Sequence, residues 1–350
     1  KGRGEAKFKE WLRERLKEEF DEEGREGVKW VEGVSEELFV GVEWVYEKEC
    51  TYVHQDKYVT EELEEVPGTE KRKRQEVLDL SERAEAHRAI GQLRWVARTL
   101  PFWAQDIWEC SRIPHDPESS IADLWKLNKL IREIKHHAGN REFWWRLPVL
   151  QEADLFLTSV TDAGEPPNDK FYNGAWREGQ VLLLGSALVG WHCSRATRVG
   201  GGSFGGECIS CLGGSERAMG VQELVAEVDG LRPTYLEKIL AKKLGNGEEW
   251  ERKMPPAITA ILDAEGVLKS VRINEGVVTV ESKKRKHDIY ALRELIRLGL
   301  LNPLGFIRGM QNPADPLTKP KALTKNTQPL LWNLIRGRGL DWDTVEFWGE

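Results

Sequence analysis

Phe8, Leu12, Leu16 and Phe20 recur every four residues, with Trp11 beside them and mostly Lys, Arg and Glu between. That spacing predicts an amphipathic helix over residues 5–22, closed by Gly24 and Gly27. The pattern then changes. Leu38 to Tyr46 reads as a strand and Thr51 to His54 as its hairpin partner, after which Asp56 opens a short helix carrying Tyr58, Val59 and Leu63. Pro67 to Glu76 is a polar linker. Helical spacing returns at Ala86, Ile90, Leu93 and Ala97, is broken by Pro101, and resumes in a helix around Ile107 that ends before Pro114. Leu124, Leu127, Leu130, Ile131 and Ile134 mark a third helix over 121–135.

After Gly139 the texture shifts to short apolar runs separated by glycine turns. Leu155–Val160, Phe171–Trp176, Val181–Leu184 and Leu188–Trp191 are predicted strands. A helix is expected over Glu207–Val228, a strand over Ala257–Leu262, a helix over Ile289–Leu298 and a last short strand over Leu304–Ile307. Strands first, then strand and helix alternating, indicate a mixed α/β layered fold.

With 350 residues, two or three domains are expected. The net charge of −7 argues against a purely electrostatic nucleic-acid binder but leaves room for a local basic groove. The five cysteines are odd in number and scattered, unlike a secreted disulfide framework. Cys208 and Cys211 form a C-x-x-C without the second pair that a zinc site needs, and read as the apolar face of a helix. With no N-terminal signal, and no apolar run longer than that around Val181 to Leu184, the expected setting is intracellular, in cytoplasm or nucleus, with no membrane partner. The start at Lys1 instead of Met suggests a fragment or a processed polyprotein product. Trp144, Trp145 and Trp176 read as strand core.

Four acids stand at informative places. Asp162 ends one apolar stretch, Glu207 opens a helical run, Asp263 ends another strand-like stretch, and Asp315 lies in Asn312-Pro313-Ala314-Asp315-Pro316-Leu317-Thr318-Lys319. Carboxylates are hard oxygen ligands, and two-metal phosphodiester hydrolysis needs little else. Singly, each has an ordinary reading as a turn or cap residue, and Glu265 competes with Asp263 for the inward position. Glu165 and Asp169 are weaker candidates.

These motifs resemble the C-terminal part of the Pol polyprotein of Ty1/copia-type retrotransposons, where the end of a reverse transcriptase is followed by a ribonuclease H domain. Val160-Thr161-Asp162-Ala163 resembles the family's "Ser-Asp-Ala-Asp", Gly185 to Trp191 its "Gly-...-Val-Ser-Trp" turn, and Glu207 the second glutamate of "Ser-Ser-Ala-Glu-Ala-Glu-Tyr". Asp263-Ala264-Glu265-Gly266 keeps the acid of "Asp-Asn-x-Ser" without its asparagine and serine. Lys286-His287-Asp288-Ile289 resembles "His-Ile-Asp-Ile", and Ala314 to Lys319 nearly completes "Ala-Asp-x-x-Thr-Lys". Upstream, Leu38-Phe39-Val40-Gly41-Val42 resembles a palm strand, Gln55 to Tyr58 a "Gln-x-x-Tyr" helix start, and Ile90 to Trp95 with Pro101 and Asp106 the pattern "Val-Gly-x-Leu-x-Tyr... Arg-Pro-Asp", with Leu100 in the arginine's place. No "Tyr-Val-Asp-Asp" polymerase motif is present, so polymerisation by this chain alone is not expected.

The resemblance implies a ribonuclease H-like five-stranded mixed sheet with flanking helices, preceded by a partial palm (1–66) and a helical thumb or connection (67–140). The nuclease would cover 141–325 and a helical tail 326–350. It implies cleavage of the RNA strand of RNA–DNA hybrids with two Mg2+ ions, Mn2+ being the alternative, roughly 4 Å apart. Asp162 would bridge the ions, Glu207 and Asp263 complete the first, and Asp315 hold the second. Arg195, Arg198, Lys283, Lys284, Arg285 and Lys286 are candidate phosphate contacts, and His287 a proton shuttle or product-release residue. Further expected partners are the upstream reverse-transcriptase portion or a larger protein complex. The competing expectation is a catalytically inactive, domesticated protein that uses the same scaffold to bind nucleic acid or protein.

Overall fold

The computed structural model describes residues 36–68, 72–151, 156–165, 175–198, 202–228, 258–272, 283–321 and 323–347. The helix expected over 5–22 lies outside them, as do Phe171 to Gly174 of one expected strand.

The single strand expected over Leu38–Tyr46 is a hairpin of β1 (Glu36–Phe39) and β2 (Val42–Tyr46). Its two-residue loop holds Val40 at φ 50° and Gly41 at φ 73°. Two successive positive φ values are what a tight hairpin turn demands, and Val40 gives no sequence signal for that conformation. β3 (Cys50–His54) continues the sheet, followed by α1 (Asp56–Glu61). α2 (Leu80–Val96) opens on a capping box between Asp79 and Glu82. After α3 (Ala104–Cys110), α4 (Ile121–His137) opens on a second box between Ser120 and Asp123. β4 (Trp145–Pro148) returns to pair with β3. Leu63, Ile90, Leu93, Trp103, Leu124, Leu127 and Ile131 fill the core of this first unit.

The second unit is a mixed α/β layer around β5 (Leu157–Gly164), buried along its whole length. β6 (Arg177–Leu184) and β7 (Ala187–Arg195) add to it as antiparallel neighbours. α5 (Ser203–Val228) crosses one face, and β8 (Thr259–Leu262) then lies parallel to β5 on its other side. α6 (Glu265–Arg272) and α7 (Lys283–Arg297) precede β9 (Gly305–Ile307), parallel to β8. α8 (Gln328–Ile335) is followed by β10 (Val345–Phe347), antiparallel to β9. The order is β10-β9-β8-β5-β6-β7. This six-stranded mixed sheet with helices is compatible with a ribonuclease H-like fold, with one strand more than the five expected. The extra strand comes from the segment expected to be a helical tail: α8 is there, but the chain then covers the open edge of β9. A three-residue strand leaves too little alternation to read from sequence.

The two faces of β5 have different tasks. Thr161 and Ser159 face α5, where Gly214 keeps the helix backbone close to them. Val160 faces the other way, into a cluster with Leu317, Leu331 and Leu334. Cys208 and Cys211 are free, buried thiols of α5 within the apolar core. Arg177, itself buried, ties the units together: it lies over the Trp108 ring at 4.8 Å, 3.3 Å from Glu109, and donates to the Thr318 carbonyl at 3.1 Å. Among the described residues no helix is long and apolar enough to cross a membrane.

Gly179 sits opposite Asp162 in the β5–β6 pairing. A Cβ there would stand 2.5 Å from Thr318 Cγ2 and 3.0 Å from the Ala314 carbonyl oxygen, so the segment carrying Asp315 lies directly on bare backbone. Gly179→Ala is therefore expected to cost about 1–3 kcal/mol by overpacking. Urea unfolding should show a lower midpoint at unchanged slope.

Candidate metal centre

β5 and β8 run parallel, with Val160 paired to Ile261. Two residues beyond that pair stand Asp162 and Asp263, level with each other on neighbouring strands that are about 4.8 Å apart. α5 starts over the same end of the sheet and contributes Glu207. One carboxylate oxygen from each of Asp162, Glu207 and Asp263 lies within 4.8 Å of the other two.

The supports are local. The Ser210 hydroxyl, on α5, donates to the Asp162 carbonyl at 2.7 Å. Asn312 holds the next carbonyl back, that of Thr161, at 3.0 Å. The Thr318 hydroxyl donates to Asp162 Oδ2. Gly309 approaches Asp263 so closely that a Cβ would stand 3.0 Å from Oδ2. The Ala163 backbone N–H supports the Glu207 carboxylate. Its second oxygen, Oε2, is buried and has no partner.

Burial, then the charges of Asp162 and Asp263, raise the Glu207 pKa well above the usual carboxylate range. Burial likewise raises Asp162, against the pull of Lys319. Asp263 is pushed up to about 7, by burial and then by Asp162. An unpartnered buried carboxylate oxygen facing two further carboxylates is costly unless a cation or proton meets it. An all-oxygen donor set of this kind fits a hard divalent cation such as Mg2+, Mn2+ or Ca2+.

Asp315 stands outside the three-carboxylate cluster. It is buried in a 3₁₀ turn, accepts from the Thr327 hydroxyl at 2.7 Å, and pairs with Lys319. Lys319 Nζ also reaches Asp162 Oδ1 at 3.4 Å. The first and fourth acids of the sequence pattern thus share one ammonium. Burial alone would lower the Lys319 pKa, but Asp162 and Asp315 raise it above the normal lysine value.

Glu265 is exposed and pairs with Lys269 at 2.7 Å, so Asp263 is the inward acid of that turn. Glu165 is exposed, and Asp169 lies outside the described residues. Two of the expected phosphate contacts are committed elsewhere. Arg198 pairs with the buried Asp288 at 2.6 Å, and Arg285 is itself buried against Asp288 at 3.3 Å. A buried acid needs such partners, and of the two arginines Arg198 still keeps its side chain half-exposed. Arg195, at the end of β7, and Lys283, on α7, are exposed, and Lys286 is half-buried. Lys284 also lies on α7. His287 is exposed on that helix, and no hydrogen bond or ion pair joins it to the three carboxylates among the described residues. The sequence reading gave no role to Lys319, Thr318, Thr327 or Ser210; the first two were visible only as letters of the Asp315 motif.

No family model matches this chain, and no curated protein matches it. Among solved structures it is similar to LC11-RNase H1, isolated from compost by a metagenomic approach, with 13% identity over 50% of this chain and 92% of that one, at a TM-score of 0.27.

The raised pKa of Asp263 has a definite sign in stability. Between the unfolded carboxylate value and about 7, the folded state holds a proton that the unfolded state has released. Metal-free protein should therefore lose stability as pH rises through that window, by up to about 1.4 kcal/mol per pH unit for one such group. Mg2+ or Mn2+ should raise the melting temperature more at pH 8 than at pH 5, because ligation needs the deprotonated acids. Thermal unfolding at the two pH values, with and without metal, checks both expectations.

Proposed function

We propose that this chain is a divalent-metal-dependent ribonuclease of the ribonuclease H type, acting on the RNA strand of RNA–DNA hybrids. The observation that carries the reading is the convergence of Asp162, Glu207 and Asp263 at one end of the parallel β5–β8 pair, with Glu207 Oε2 lacking a partner. The cofactor is Mg2+, with Mn2+ as the alternative. Asp162, Glu207 and Asp263 would hold one ion, and Asp315, now paired with Lys319, would help to hold a second. When bound, such ions supply Lewis-acid polarisation of a phosphate oxygen and a more acidic attacking water.

The chain's own residues do the rest. Ser210 and Thr318 fix Asp162, so the central ligand enters the reaction already oriented. Glu207 would orient the attacking water from the start of α5. Thr327 holds Asp315. Lys319, which pairs with Asp162 and Asp315, is placed so that its ammonium would be available to a substrate phosphate if Asp162 held an ion instead. Arg195, Lys283, Lys284 and Lys286 are candidates for backbone contacts, with Arg198, whose side chain stays half-exposed beside Asp288; Arg285 is buried against Asp288. Selection of RNA would rest on the 2′-hydroxyl and groove shape.

We propose further that the chain descends from a copia-type Pol polyprotein. The motif order from the palm-like strands through the Asp315 segment supports this. On that reading, 1–66 is the end of a palm, 67–140 a thumb or connection, and an upstream reverse-transcriptase portion is the natural partner.

A second reading has its own observation. Lys319 pairs with both Asp162 and Asp315, an internal cation that offsets part of their charge and that a retained, non-catalytic scaffold would use in place of an ion. Cleavage of a labelled RNA–DNA hybrid decides between them. The nuclease is expected to cut only with Mg2+ or Mn2+, and Asp162→Asn and Glu207→Gln should each lose about 100-fold or more. If folded wild type neither cuts nor binds Mn2+ in calorimetry, while Lys319→Met does bind it, the scaffold reading stands.

A further inference from the structure

A cavity distinct from the carboxylate centre lies in the seam between the two units. It measures about 700 Å³ and runs between the C-terminal end of α2, helix α3, and β7, the edge strand of the six-stranded sheet. Its lining includes Arg94, Arg98, Trp108, Trp145, Trp191 and Ser194, and no acidic side chain among the described residues. That is unusual in a chain of net charge −7. The neighbouring cavity beside α4, by contrast, is lined by Asp106, Glu109, Asp123 and Glu133 as well as by lysines and an arginine, and so is neutralised from within.

Arg94 and Arg98 are exposed and make no ion pair with a carboxylate among the described residues. The indoles opposite them are fixed. Trp145 donates its ring N–H to the Leu188 carbonyl at 2.8 Å, Trp191 donates to the Ala97 carbonyl at 3.1 Å, and the two rings pack edge to face at 5.0 Å. Rigid aromatic walls lose little rotamer freedom on binding, and arginines with no carboxylate partner, in a groove without acids, attract a polyanion; Arg98 lies over the Trp95 ring at 5.0 Å. Arginine with aromatic rings is the combination that holds single-stranded nucleic acid, phosphates on the cations and bases against the rings. A cleft of this size admits a strand, not a double helix.

We propose that this seam is a binding site for single-stranded nucleic acid, separate from the carboxylate centre. It also lies close to that centre. Cys193 lines the cleft and sits level with Gly179 and Asp162 across β7, β6 and β5, two strand spacings or about 10 Å away. A strand leaving the centre toward the β7 edge meets Arg98 and Arg94 there.

The test is anisotropy of a fluorescein-labelled oligo-dT 12-mer with the full chain in EDTA, so that its outcome does not depend on nuclease activity. Wild type should bind, with affinity falling as salt rises. Arg94→Gln/Arg98→Gln should bind about tenfold or more weakly and show a log–log salt slope shallower by about 1.4, the value for two lost phosphate contacts to a single strand. Lys126→Gln/Lys129→Gln, at the neighbouring cavity, should match wild type. Absence of binding by folded wild type, or equal binding by the arginine variant, overturns the assignment. So does capture of an extended peptide on the β7 edge in place of the oligonucleotide.

Discussion

Three carboxylates within 4.8 Å of one another at the end of a fully buried strand cannot all remain ionised unaided. Much around them answers that constraint. A lysine reaches in from the segment laid over Gly179, hydroxyls of Ser210 and Thr318 hold Asp162, and Asp263 titrates near neutrality. One oxygen of Glu207 is left without a partner. Such an arrangement opposes folding in the absence of a cation and is relieved by one, which ties stability to ligation.

The centre exists because of backbone geometry more than side-chain size. The parallel pairing of β5 with β8 brings Asp162 level with Asp263 although 100 residues of chain separate them in sequence. Gly214 brings α5 near β5, and with it Glu207; Gly179 lets the Asp315 segment lie flat. The first unit is fastened to this sheet by Arg177, which meets Trp108 and Glu109, and by two indole N–H donors, Trp145 and Trp191, each ending on a backbone carbonyl across the seam. These contacts leave a cleft between the units instead of closing it.

The sequence was most legible where periodicity is strong and local. The helices Leu80–Val96 and Ile121–His137 carry clear stripes and reciprocal caps, and were placed to within a few residues. The Leu38–Tyr46 run hid a hairpin because Val40 carries no mark of its positive φ. β10 hid because three residues show no period. Asp162, Glu207 and Asp263 could be named from their positions at strand and helix ends. That Asp315 would answer to Lys319, and that Arg198 and Arg285 would both turn to Asp288, depends on pairings across the fold that no local window contains.

Such pairings also set an order in time. Lys319 meets Asp162 across 157 residues of chain, and β10 completes the sheet still later. During synthesis, the strands and helix that carry Asp162, Glu207 and Asp263 emerge well before the lysine that balances them, and before the strand that covers β9. A nascent chain at that stage holds like charges that repel and an unpaired sheet edge that invites association. The second unit therefore becomes self-consistent only once Lys319 and then β10 have emerged, and an earlier encounter with a divalent cation would offset the same carboxylates that Lys319 later meets.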